Sequence, residues 1–248
     1  MNNIGISFLL TNLAGLSTML GTILIFIKIK NENKIIAGSL SFASGVMISV
    51  SIFDLVPESI SMLSESFSGL GVIIVTFLFI MLGIIISSFI DNKLPSNYNN
   101  TPLYKVGIIS MIAIILHNIP EGVATFISST KDISLGLSLA IAIAMHNIPE
   151  GISISVPIYY STGSKKKALL YTFISGLSEP FGAIIAYLFL MPFINNIILG
   201  ILFSLIAGIM IRISFVELLP SSNSYNENLI TKLFFIIGVI FMLLKFII

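Results

Sequence analysis

Apolar residues run in eight long stretches separated by short polar interruptions, at about 4–27, 36–56, 70–90, 103–128, 133–160, 167–191, 197–219 and 229–247. Each meets or exceeds the roughly 17 to 25 residues that a helix needs to cross the hydrocarbon of a bilayer. The pattern predicts an all-α membrane protein of eight transmembrane helices, with residues 1–248 forming a single transmembrane domain. The one long polar connection, Asp91 to Leu103 between helices 3 and 4, is punctuated by Pro95 and Pro102 and is too short to be a domain. The first stretch is preceded only by Met1-Asn-Asn, without a cation, and exceeds the length of a signal core, so it is expected to remain as helix 1.

Composition agrees with a bilayer setting: 56% of the residues are hydrophobic and 9% are charged, whereas soluble domains carry about 25% charged residues. A net charge of +1 gives no reason to expect nucleic acid as a partner, and the absence of cysteine excludes disulfides and thiolate ligands. The charges are unevenly placed. Lys28, Lys30, Lys34, Lys93, Lys105, Lys165, Lys166, Lys167 and Lys232 fall in the 1–2, 3–4, 5–6 and 7–8 connections, against Lys131 and Lys245 on the other face. The positive-inside rule therefore predicts that those four connections are cytoplasmic and that the N- and C-termini lie outside.

Candidate chemistry lies in the middle of the apolar stretches. His117-Asn-Ile-Pro-Glu-Gly122 recurs letter for letter as His146-Asn-Ile-Pro-Glu-Gly151, and these histidines are the chain's only 2. On a helix, His and Glu four residues apart share a face that the Asn flanks, so each hexamer projects an imidazole, a carboxylate and an amide together. Pro120 and Pro149 lack an amide hydrogen and are expected to free the carbonyls of Leu116 and Met145. Helix 6 adds Glu179, again directly beside a proline. An ionisable side chain at mid-bilayer costs roughly 2.5–3.5 kcal/mol, so these groups are expected to face the protein interior and bind something. Imidazole with carboxylate and amide oxygen suits zinc, ferrous iron, manganese or cobalt. Three carboxylates suit one or two divalent ions.

A fainter repeat bears on mechanism. Ser41 to Pro57 aligns without gaps on Ser204 to Pro220, with Ser, Gly, Met, Ile, Ser, Leu and Pro identical, and Gly15-Leu-Ser in helix 1 parallels Gly176-Leu-Ser in helix 6. Five helices separate the partners, so the copies must cross in opposite senses. The reading is a 3+2+3 inverted repeat, helices 1–3 and 6–8 around helices 4 and 5, which is a pattern of alternating-access transporters whose sites sit near the midplane on broken helices. With this orientation Asp54 and Glu58 of helix 2 lie toward the outer face and Glu217 of helix 7 toward the cytoplasm, as candidate cation mouths. Arg212, somewhat deeper than Glu217, has two readings: snorkelling to the interface or acting as a cation gate.

Both hexamers, Ser-Glu-Pro in helix 6, Phe-Asp-Leu-Val-Pro-Glu in helix 2 and Phe-Val-Glu-Leu-Leu-Pro in helix 7 resemble the ZIP (Zrt/Irt-like) family of metal transporters, nearest to its bacterial GufA and ZupT branch. The resemblance covers nearly the whole chain. It implies a multi-pass protein of the cell membrane, often a homodimer, carrying Zn²⁺ (with Fe²⁺, Mn²⁺, Co²⁺ or Cd²⁺ as alternatives) into the cytoplasm by an elevator-like motion. It further implies a primary site of His117, Glu121, His146 and Glu150, and a neighbouring one of Asn118, Asn147 and Glu179, with Glu121 and Glu150 bridging. The metal would be cargo, and no resident cofactor is expected. The 3–4 connection, His-rich in many relatives, has no histidine here.

Two other classes share parts of this pattern. An intramembrane metallohydrolase would need an open metal position and a separate general base, and the chain has no His-Glu-x-x-His. A metal-gated channel would share the ligands without alternating access.

Overall fold

The computed structural model describes residues 3–27, 30–93, 102–190, 193 and 195–244. Lys28, Lys245 and residues 94–101 of the 3–4 connection lie outside the described residues. All regular structure among the described residues is helical. Seven helices are long and apolar enough to cross a membrane: α1 (Ile4–Phe26), α2 (Glu32–Ser64), α3 (Leu70–Lys93), α4 (Pro102–Lys131), α5 (Ile133–Thr162), α6 (Lys165–Phe189) and α7 (Asn196–Asn223). A shorter apolar helix, α8 (Asn228–Leu243), follows. The chain is a multi-pass membrane protein.

Several starts are set by local capping. Asn31, Ser164 and Asn195 accept from the third backbone N–H of α2, α6 and α7, and Asp132, in the tight turn joining α4 to α5, accepts from Ser134 and Leu135. Helices 2 and 7 run past the ends that the apolar pattern suggests. In α2 a π turn at Ser51–Leu55 precedes Pro57, with the Val56 N–H bonded to the Ser51 carbonyl. In α7 the same turn recurs at Ser214–Leu218 before Pro220, with the Leu219 N–H bonded to the Ser214 carbonyl. Shifting the bonding register just ahead of the proline lets the helix continue where a proline would otherwise stop it. The expectation of broken helices at the hexamers is corrected: α4 and α5 continue unbroken through Pro120 and Pro149. The irregular turns lie instead in α1, which tightens to 3₁₀ at Ser17–Phe26, and in α2, α6 and α7.

The helices pack in two groups. Helices α1, α4, α5 and α6 contact one another, while α2 packs on α8, α3 on α7, and α2 on α7; the groups meet through α2 with α5 and α4 with α7. Side chains follow bilayer logic. α3 turns Ile73, Phe77, Ile85 and Phe89 outward and buries Val72, Thr76, Gly83 and Ser87. Since lipid is as apolar as leucine, large residues gain nothing by facing inward, and small ones let backbones approach. A Cβ at Gly83 would overlap the Leu205 carbonyl of α7, and one at Gly238 would overlap the Phe42 carbonyl of α2. Hydroxyls join α2 to α7: Ser59 donates to the Gly200 carbonyl at 2.7 Å and Ser222 to the Ala37 carbonyl at 2.7 Å.

This packing predicts opposite outcomes on the two faces of the helices. Gly238→Leu should destabilise the detergent-solubilised protein by about 1–3 kcal/mol, because α8 must leave α2 to make room. Phe77→Ala, on a side chain 60% exposed, should leave the melting temperature nearly unchanged. Melting followed by static light scattering or by fluorescence of an added dye checks both.

Candidate metal centre

The tight turn at Asp132 folds α5 back along α4, and each hexamer lies at nearly the same distance from that turn. The two therefore meet at one depth and pair crosswise. His117 Nε2 is 2.8 Å from Glu150 Oε1, and His146 Nε2 is 3.4 Å from Glu121 Oε1. All four side chains are buried.

Glu179 joins them from α6, where its carboxylate accepts from Asn147 Nδ2; the same amide donates to the Ala14 carbonyl of α1 at 2.8 Å. The final glycine of each hexamer makes this convergence sterically feasible. A Cβ at Gly122 would overlap the Glu179 backbone, and a Cβ at Gly151 would overlap the Thr18 carbonyl. α6 thus presses on α4, and α1 on α5, at matching positions.

A set of polar atoms around this crossing is buried without a hydrogen-bond partner: Glu121 Oε2, Glu150 Oε2, Glu179 Oε2, Asn147 Oδ1 and both amide atoms of Asn118. An unsatisfied buried polar group costs about 1–3 kcal/mol, and more when charged, so native interiors tolerate few of them. The oxygens among them, concentrated beside two imidazoles, form a donor set suited to a divalent cation of zinc-like chemistry. Among the described residues no three His, Cys, Asp or Glu side chains are arranged so that they could hold a metal ion. Each carboxylate instead leans on the opposite imidazole.

The site opens to one end of the molecule. A cavity of about 680 Å³ reaches Glu121 and His146 past Ala124 and Leu139, and its lining includes Asp54, Glu58 and Ser61 of α2 and Phe203 of α7. Asp54 stands on the π turn of α2, a common setting for functional side chains. Glu217 occupies the equivalent turn of α7, away from the cavity. There it sits 3.6 Å from Arg212, which donates to Asp91 at 2.7 Å and to Ser88 at 2.8 Å. Snorkelling does not describe Arg212, whose side chain is 8% exposed and held by α3. The sequence pattern missed Asp91, placed in the polar connection, as the partner of Arg212. A signal was present in that a buried arginine requires an acid, but the choice among acids is not local.

A model of the family described as ZIP Zinc transporter matches residues 95–245. Proteins named Zinc transporter ZupT are similar over most of their length. That of Streptococcus mutans is 44% identical over 235 residues, covering 90% of this chain and 89% of its own. That of Oceanobacillus iheyensis is 42% identical over 245 residues, covering 92% and 91%, and that of Clostridium perfringens 42% over 260 residues, covering 92% and 90%. With the paired hexamers and the all-helical fold, these matches show that the chain belongs to the ZIP zinc transporter family, a family of transporters and not of enzymes.

Proposed function

We propose that the protein carries divalent metal cations, zinc foremost, across the cell membrane into the cytoplasm by alternating access. The observation that carries this reading is the crosswise His–Glu pairing of two identical hexamers at one depth, reached from one end by an acid-lined cavity. His117, Glu121, His146 and Glu150 would hold one ion, and Asn118, Asn147 and Glu179 would extend the site to a second, with Glu121 and Glu150 bridging. Fe²⁺, Mn²⁺, Co²⁺ and Cd²⁺ share the required ligand chemistry. Asp54 and Glu58 would collect the cation and Glu217 would pass it on.

The inverted repeat of helices 1–3 and 6–8 is supported by equivalences beyond the sequence alignment. The π turns at Ser51–Leu55 and Ser214–Leu218 occupy aligned positions. Gly83 lies against Leu205 and Gly238 against Phe42, and Phe42 is the residue that aligns with Leu205. Gly122 against Glu179 and Gly151 against Thr18 repeat the relation for the inner helices. Two packings related in this way are what a chain needs to present one site to either side. The lysine bias supports placing the Asp54 mouth outside and the Glu217 end in the cytoplasm.

Purified protein in liposomes should show saturable uptake of Zn²⁺, with Fe²⁺, Mn²⁺, Co²⁺ and Cd²⁺ tested alongside. His117→Ala and Glu150→Ala should each weaken equilibrium metal binding by at least about tenfold, equivalent to about 1.4 kcal/mol, and abolish uptake while the protein remains monodisperse. Wild-type uptake by both variants would overturn the site. Flux that never saturates would favour the channel reading.

Orientation has its own test. Single cysteines at Glu65 and Lys166, in a chain with Cys 0, should react with an impermeant thiol reagent on intact cells at position 65 and not at 166. The reverse labelling would place the cavity toward the cytoplasm.

A further inference from the structure

A cluster of opposite charges lies at the end opposite the cavity. Asp91 takes Lys105 Nζ at 2.8 Å on one carboxylate oxygen and Arg212 Nη2 at 2.7 Å on the other. Arg212 also reaches Glu217 at 3.6 Å and bonds Ser88. Two acids face two bases, so the cluster is neutral as a whole.

Its members divide between the two helix groups. Asp91, Arg212 and Glu217 stand on α3 and α7, which pack together, whereas Lys105 stands on α4 with His117 and Glu121. The Lys105–Asp91 contact is therefore an ion pair between the helices that carry the metal centre and the helices beside them. At the cavity end the position aligned with Arg212 is Ser49, so no corresponding cation stands there.

The correspondence between the two ends shows what this cluster covers. By the α2/α7 and α4/α5 equivalences, the cavity-lining residues Phe203, Leu139, Ala124 and Ile143 match Leu40, Ser110, Ser153 and Ile114. All four of the latter are 0% exposed. By this correspondence they would line a closed counterpart of the cavity on the His117 and Glu150 side. Ser110 lies two helical turns from His117 on the same face of α4, and its hydroxyl is buried without a partner.

We propose that Lys105, Asp91 and Arg212 form an ion-pair latch that holds this closed route shut, and that the route opens when Lys105 parts from Asp91. The inference rests on the alternating-access reading and adds the contact that biases it. Arg212 keeps its own bond to Asp91 when Lys105 withdraws, so the carboxylate is not left bare in a poorly hydrated place. The same guanidinium keeps Asp91 and Glu217 from acting as a two-carboxylate trap for a departing divalent cation. The Lys105 and Asp91 side chains are 26% and 15% exposed, so the pair is partly buried.

Accessibility in the cysteine-free chain tests the latch. Ser110→Cys reports the closed route and Ser61→Cys the open cavity, and each is labelled with a hydrophilic maleimide on purified protein in nanodiscs. Lys105→Met and Asp91→Asn should each speed labelling at 110 at least about threefold and slow it at 61, while Lys105→Arg keeps the wild-type rates. Faster labelling at both positions would mean a loosened bundle and would overturn the latch. If Zn²⁺ shifts the two positions in opposite directions in the wild-type background, but neither variant does, the latch alone is overturned. No opposed shift under any condition would overturn alternating access and the latch with it.

Discussion

The architecture depends on the crosswise contact of two imidazoles with two carboxylates at the same depth of α4 and α5. Groups of this kind are costly in a bilayer, and burial leaves each one needing a partner of the opposite character. By pairing His117 with Glu150 and His146 with Glu121, each hexamer supplies what the other lacks. The register of the hairpin follows from this pairing. A slip of one residue would turn a histidine toward lipid and strand the opposite carboxylate, since neighbouring positions on a helix point about 100° apart.

The helices around this contact are fitted to it by the absence of side chains as much as by their presence. Gly122 and Gly151 admit α6 and α1 to backbone distance, and that approach brings Glu179 against Asn147. The outer pairs, α3 with α7 and α8 with α2, use glycine in the same way. Larger residues at these places would keep the bundle apolar but hold these polar side chains apart. Packing in lipid gains little from apolar bulk, and close van der Waals fit with occasional hydroxyl bonds takes its place.

The π turns of α2 and α7 are alike in form and differ in their surroundings. Asp54 and Glu217 stand on equivalent π turns, yet one borders a cavity and the other faces Arg212. The local geometry of the two turns is alike, so it does not by itself account for the difference.

The sequence by itself determined the apolar stretches, the depth of the two hexamers and the alignment of helix 2 with helix 7. Helical periodicity and bilayer thickness are local constraints that a single stretch must satisfy alone. The sequence also placed His117, Glu121, His146, Glu150 and Glu179 among interior groups, because ionisable side chains in such stretches have no other tolerable location. Which histidine meets which glutamate, and that Arg212 turns to Asp91 rather than to the interface, were decided by the tertiary structure. So were the continuation of α2 and α7 past their prolines and the opening of the site to one end. These depend on how helices far apart in the chain rotate and approach, which contacts at Gly83, Gly122, Gly151 and Gly238 fix only once both partners are in place.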